Sequence, residues 1–153
     1  MRIFILTLGT RGDVQPYVAL GKGLISKGHE VTICTSSSFE GFITEHGVGY
    51  GYMNNEILKL IDSDAGRDAV EDSGNIFGWM KTMIALTKQV KPLQKMMIED
   101  AWKSAVQVQP DLIIYHPKAM AGPHIAEKLG IPRIMSVPLP IFTPTAEFPS
   151  MVF

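Results

Sequence analysis

Asp13 is the residue best placed to do chemistry. It lies in the run Thr7-Leu8-Gly9-Thr10-Arg11-Gly12-Asp13-Val14-Gln15-Pro16, where a carboxylate stands among two glycines, two hydroxyls and a guanidinium. A carboxylate so placed can take a proton from an attacking hydroxyl. The run follows an apolar strand-type stretch and opens an apolar helix-type one. In an α/β chain, backbone N–H groups and the helix dipole converge at such a turn, just beyond the strand's carboxyl end. A structural role competes: a short polar side chain at the start of a helix caps it. The residues alone leave capping and catalysis evenly balanced for Asp13. The two roles also conflict, because a helix N-terminus stabilises the carboxylate and weakens it as a base, whereas desolvation strengthens it.

The same loop excludes some chemistries. Gly9-Thr10-Arg11-Gly12-Asp13-Val14 has neither the G-x-G-x-x-G spacing nor a Walker G-K-[ST]. The second strand ends Cys34-Thr35-Ser36, with no acidic residue for a ribose, so a dinucleotide-binding enzyme is not expected. Four histidines and one cysteine show no metal-ligand spacing. His116 follows a strand and so lies on the ligand side of a parallel sheet; a lone histidine is more often structural, and both readings stand. His124 falls inside a helix and is expected to pack, and His29 belongs to a helix-to-strand turn. Arg11 serves equally well as a phosphate partner or as a surface charge.

The elements that must position these groups follow from hydrophobic periodicity. Residues 2–8 form a near-continuous apolar run, as in a parallel strand covered on both faces. Helical spacing over 14–27 ends at Gly28. A second strand spans 30–35, Ser36 to Ser38 offer an N-cap to a short helix over 39–45, and 48–53 reads as a short third strand. Residues 54–75 are acidic, with Asp62, Asp64, Asp68, Glu71 and Asp72 clustered over 62–72, where Arg67 alone opposes them; this is a solvated loop or, more sharply, a lid. Residues 76–107 carry one helical stripe, which Pro92 is expected to kink or split. Trp79, Met80, Met83, Met96 and Met97 on that helix read as core first and as an adaptable acceptor pocket second. A strand over 112–115, a helix over 120–129 closed by Gly130, and a strand over 131–137 complete the pattern. The tail, 138–153, holds four prolines and reads as an extended loop. Strands alternating with helices predict an α/β fold, a doubly wound parallel sheet of Rossmann-like type. Its functional loops then lie at 9–13, 36–38, 116–120 and 137–145.

The chain has 153 residues, 46% of them hydrophobic and 19% charged, which suits one globular domain. A net charge of −1 gives no footprint for nucleic acid. The single cysteine, Cys34, sits in an apolar strand, so no internal disulfide can form. The short apolar start is expected to be a buried strand, not a signal peptide, and the expected location is cytoplasmic.

Gly9-Thr10-Arg11-Gly12-Asp13-Val14-Gln15-Pro16 resembles the opening signature of sterol 3β-glucosyltransferases and, more loosely, of glycosyltransferases that decorate antibiotics. The likeness continues through Lys27-Gly28-His29-Glu30-Val31, residues 39–47, Pro117-Lys118-Ala119-Met120-Ala121-Gly122-Pro123-His124-Ile125-Ala126 and the proline-rich end. It is weakest over 54–109. The resemblance implies that residues 1–153 form one acceptor-binding domain, the N-terminal half of a GT-B fold. The nucleotide-sugar domain is then expected from elsewhere, in cis or in trans. It further implies inverting, metal-independent transfer of a hexose, with UDP-glucose as co-substrate and no bound cofactor. The acceptor is a hydroxyl of a sterol, another lipid or a secondary metabolite, with peripheral membrane contact if it is a membrane lipid. On this resemblance Asp13 is the base, and Gly9, Thr10, Arg11 and Gly12 face the donor. His116, Met120 and Phe142 are the candidates for the acceptor wall. A departure is Ala146, where relatives often carry arginine, which bears on the contacts of the last loop. A half-domain that binds acceptor without chemistry, or one subunit of a two-chain enzyme, are the alternatives.

Overall fold

Five parallel strands in the order β3-β2-β1-β4-β5 make the sheet: β1 (Arg2–Leu6), β2 (Glu30–Thr35), β3 (Gly49–Tyr52), β4 (Leu112–Tyr115) and β5 (Arg133–Met135). The computed structural model describes residues 1–56 and 76–139, with 76–89 described as backbone only. Among the described residues the helices are α1 (Arg11–Ile25), α2 (Glu40–Thr44) after a 3-10 turn at Ser37–Phe39, α3 (Ile76–Val108) and α4 (Ala121–Leu129). The doubly wound parallel sheet expected from the sequence is therefore present.

The strands alternate which face they feed, as a pleat requires. Ile3 and Ile5 of β1 join Val31 and Ile33 of β2 and pack with Val14, Tyr17 and Val18 of α1. Phe4 and Leu6 turn to the opposite face, where Met97, Ala101 and Ala105 of α3 and Ile125 and Ala126 of α4 cover them. Small residues on those two helices let them lie close to the sheet. Gly122 makes the closest approach: a β-carbon there would stand 2.6 Å from Tyr115 Cβ. At the opposite end of the sheet, the Arg2 N–H donates to Asp111 Oδ2 at 2.7 Å and ties β1 to the start of β4.

Several boundaries differ from the sequence reading. The first helix starts at Arg11, not Val14, with Thr10 as N-cap, because the polar loop residues themselves take helical geometry. Pro92 does not split α3, which runs unbroken over 33 residues. Pro92 is exposed, so water can take the carbonyl that loses its N–H partner, and packing of Met97, Ala101 and Ala105 holds the following turns. Met97 is core, as the plainer reading had it, whereas Met96 is 46% exposed. His124 is exposed, not packed. The side chains of Trp79, Met80 and Met83, most of the acidic stretch 54–75, and Phe142 with the rest of 140–153 lie outside the described residues.

Candidate active site

The chain order reverses at β1: it proceeds to β2 on one side, and β4 fills the other side later. In open α/β sheets this reversal opens a crevice beyond the strands' carboxyl ends, and ligands bind there. Here the loop after β1 carries Asp13 and the loop after β4 carries His116, so the topology brings together residues over a hundred positions apart.

The β1 loop is built to aim one carboxylate. Thr7 extends β1, its N–H donating to the Cys34 carbonyl at 3.2 Å and its buried hydroxyl donating to the Asp13 carbonyl at 2.7 Å. Gly9 then takes φ +142°, where a side chain is strained. Thr10 caps α1, and Asp13, in the first turn, reaches back so that its Oδ2 accepts the Thr10 N–H at 2.8 Å and the Thr10 hydroxyl at 3.1 Å. Asp13 is thus not the N-cap itself; it occupies the acidic arm of a capping box. Capping consumes Oδ2 and leaves Oδ1 turned to the crevice.

Across the crevice, the His116 N–H donates to the Leu6 carbonyl at 2.8 Å and carries the β1–β4 ladder one residue past β4. The ring is buried, edge-on to Tyr17 with centroids 6.3 Å apart. The Tyr17 hydroxyl in turn donates to the Ser136 carbonyl, at the end of β5. His116 Nδ1 accepts the Lys118 N–H at 3.1 Å, so the neutral ring carries its proton on Nε2. That Nε2 faces Asp13 Oδ1 at 3.8 Å, too long for a direct hydrogen bond. The Lys118 ammonium does reach Oδ1, at 3.0 Å.

Electrostatics follow from these contacts. Partial burial by itself would raise the Asp13 carboxyl, but the Lys118 ammonium and the N–H and hydroxyl of Thr10 together hold it below its ordinary 3.8. Burial pushes His116 below its ordinary 6.5; the Asp13 charge opposes this, and the Lys118 charge adds to it. At neutral pH the pair is a carboxylate beside a neutral imidazole that can donate.

A cavity of about 470 Å³ opens on this pair. Thr10, Gly12, Asp13 and Pro16 line one side, His116 and Lys118 the other, and Pro138 and Leu139 complete it. The sequence-derived candidates therefore divide. Asp13, Thr10, Gly12 and His116 meet in one cavity. Gly9 lies beneath the carboxylate, where a β-carbon would stand 2.1 Å from Asp13 Oδ2. Arg11 points elsewhere: its guanidinium lies 4.9 Å over the Phe42 ring and its Nε donates to Gln15. Met120 is 59% exposed and does not line the cavity. Gly12 has an ordinary distance of 3.6 Å from its would-be β-carbon to the nearest atom, so the turn does not demand a glycine there. Lys118 was legible only as one letter of a motif. The signal that could have found it is that, of the four loops 9–13, 36–38, 116–120 and 137–145, the first and third each carry one cation.

Among solved structures, the chain is similar to the calicheamicin glycosyltransferase, with a TM-score of 0.64 at 17% identity over 88% of this chain and 31% of that one. It is also similar to the Streptomyces sp. SF2575 glycosyltransferase complexed with thymidine diphosphate, with a TM-score of 0.60 at 23% identity over 89% of this chain and 38% of that one. Together with the all-parallel sheet and its switch-point cavity, these define a Rossmann-like half of a GT-B glycosyltransferase fold. The chain belongs to the glycosyltransferase family 28 N-terminal domain, whose family model matches residues 3–148. Curated relatives include the sterol 3-beta-glucosyltransferases of Debaryomyces hansenii, 36% identical over 95% of this chain and 8% of that protein, and of Saccharomyces cerevisiae, 33% identical over 95% and 11%. The chain thus spans about a tenth of the length of these relatives.

Proposed function

We propose that this domain binds the acceptor and supplies the catalytic base in an inverting, metal-independent transfer of glucose from UDP-glucose to the hydroxyl of a sterol or similar lipid. The observation that carries the reading is the division of labour on Asp13, whose Oδ2 is tied to the Thr10 N–H while Oδ1 faces the cavity.

In the proposed step the acceptor oxygen attacks the anomeric carbon from the face opposite the nucleotide. The bond from that carbon to the diphosphate oxygen breaks, its electron pair leaving with UDP, and the hydroxyl proton passes to Asp13 Oδ1. One displacement inverts the configuration. The hydroxyl becomes acidic only as its oxygen gains positive charge, so a carboxylate of low basicity can still collect the proton late in the step. His116 Nε2–H, on the other side of a gap too wide for a direct bond, is placed to donate to the acceptor oxygen and orient it. Closure of a donor-binding domain over the cavity would exclude water and raise the basicity of Asp13. The sterol glucosyltransferase relatives support the sugar and acceptor class; the expected donor domain, in cis or in trans, completes the site.

The test is transfer from UDP-glucose to a panel of sterols and flat phenolic acceptors, by this chain alone and with a donor-binding domain joined to it. Transfer only in the joined enzyme is the expected outcome. Transfer by the chain alone would place the donor site within it and overturn the assignment of roles. Acceptor binding with no transfer in either form would favour a binding module.

A further inference from the structure

Among the described residues, Lys118 is the one cation in contact with Asp13, and it touches both His116 and Asp13 in different ways. Its backbone N–H donates to His116 Nδ1 at 3.1 Å and so directs the imidazole proton to Nε2, toward the carboxylate. Its side chain crosses the crevice to Asp13 Oδ1 at 3.0 Å, the oxygen that capping leaves free. The ammonium ends a flexible stem that is 54% exposed, whereas Asp13 is 16% exposed; the cation can therefore leave and the carboxylate cannot.

We propose that Lys118 is a positioning residue for Asp13, its ammonium holding the Oδ1 edge ionised and aimed into the cavity and thereby setting the pH at which the site starts to work. This rests on the reading of Asp13 as the base. Other groups around the carboxylate do not substitute for Lys118. His116 is neutral near pH 7, and its Nε2 stands 3.8 Å away. The Tyr17 phenol is held protonated by burial and donates to the Ser136 carbonyl. Arg11, on the helix of Asp13 itself, is stacked on Phe42. Pro138 and Leu139 bring no charge. Without the ammonium, Oδ1 faces a partly desolvated cavity with no cation, which favours the protonated acid.

Two readouts test this. In the chain, carbon-13 NMR of the Asp13 carboxyl follows its acid titration in the unaltered protein, in Lys118→Met and in Lys118→Arg. The midpoint should move upward in Lys118→Met and return close to the unaltered value in Lys118→Arg. An unchanged midpoint in Lys118→Met would overturn the proposal. In a two-domain enzyme carrying this chain, the acid limb of kcat/KM should move upward in Lys118→Met and return close to its unaltered position in Lys118→Arg. A loss of kcat at every pH with the limb unmoved would mean that Lys118 is merely structural, again overturning it. If the NMR midpoint moves but the Asp13→Asn enzyme is fully active, the ion pair stands, and the base reading falls together with the catalytic part of this proposal.

Discussion

Asp13 fills the space that a side chain on Gly9 would need: a β-carbon there would stand 2.1 Å from Asp13 Oδ2 and 2.6 Å from its Cγ. The glycine and the carboxylate are thus one unit. Gly9 bends the chain at φ +142°, and the carboxylate folds back into the vacancy to cap α1.

Gly9→Ala should therefore damage both fold and site. The backbone strain alone costs about 1–3 kcal/mol, and the methyl group evicts the carboxylate from its cap. Urea unfolding of the chain measures the first effect, and turnover of the joined enzyme the second.

Gly12→Ala should separate the two. Its methyl group meets nothing closer than 3.6 Å, and alanine suits a helical first turn better than glycine by up to about 1 kcal/mol. Stability should hold or rise in urea unfolding. The methyl group projects from a residue that lines the cavity, so substrate KM should rise. A fall in stability would show that the turn, not the ligand, requires this glycine.

Gly122→Ala tests how α4 is seated. A β-carbon 2.6 Å from Tyr115 Cβ must push α4 away from β4, an overpacking change of about 1–3 kcal/mol. Thermal unfolding followed by circular dichroism reads the loss.

Stability should be greatest between about pH 6.5 and 9. His116 titrates below its ordinary 6.5 in the folded chain, so the unfolded chain binds the proton more tightly. Its contribution is complete above 6.5 and is lost as pH falls toward the folded value. Asp13 has the same sign and adds its loss below 3.8. On the alkaline side, burial pushes Cys34 from 9.0 and Tyr50 from 10.0 up to about 12 each. The folded chain then keeps protons that the unfolded chain releases, so stability falls as pH rises from about 9 toward 12. A melting temperature that climbs on acidification below pH 6.5 would contradict the burial of a neutral His116.

Much of this architecture is legible in the residues, and what is not has a physical cause. Short apolar runs identify the strands, which are covered on both faces, and period-3.6 patterns identify the helices, which bury one face. The polar flanks of β2 bound it at both ends. The start of α1 is not legible, because Arg11, Gly12 and Asp13 read as loop and only the capping geometry makes them helical. The meeting of Asp13 with His116 and Lys118 depends on β4 pairing with β1, and the Lys118–Asp13 contact, across 105 residues, is one that no local pattern encodes. The direction of Arg11 is likewise tertiary, set by the Phe42 ring that α2 brings alongside α1. Asp13 itself could be singled out early because a carboxylate in a strand-to-helix turn has few uses. Capping, which competes with catalysis in the sequence, engages one oxygen of Asp13 and leaves the other on the crevice side, within reach of Lys118.

The central measurement is turnover of Asp13→Asn in a two-domain enzyme carrying this chain. Asparagine keeps an oxygen for the Thr10 N–H, so the cap and the fold should survive, as circular dichroism and urea unfolding would register. Loss of the base should lower kcat by roughly a hundredfold to ten-thousandfold, with acceptor binding retained. A folded Asp13→Asn enzyme with near-normal kcat would remove Asp13 from the chemistry and leave it a capping residue.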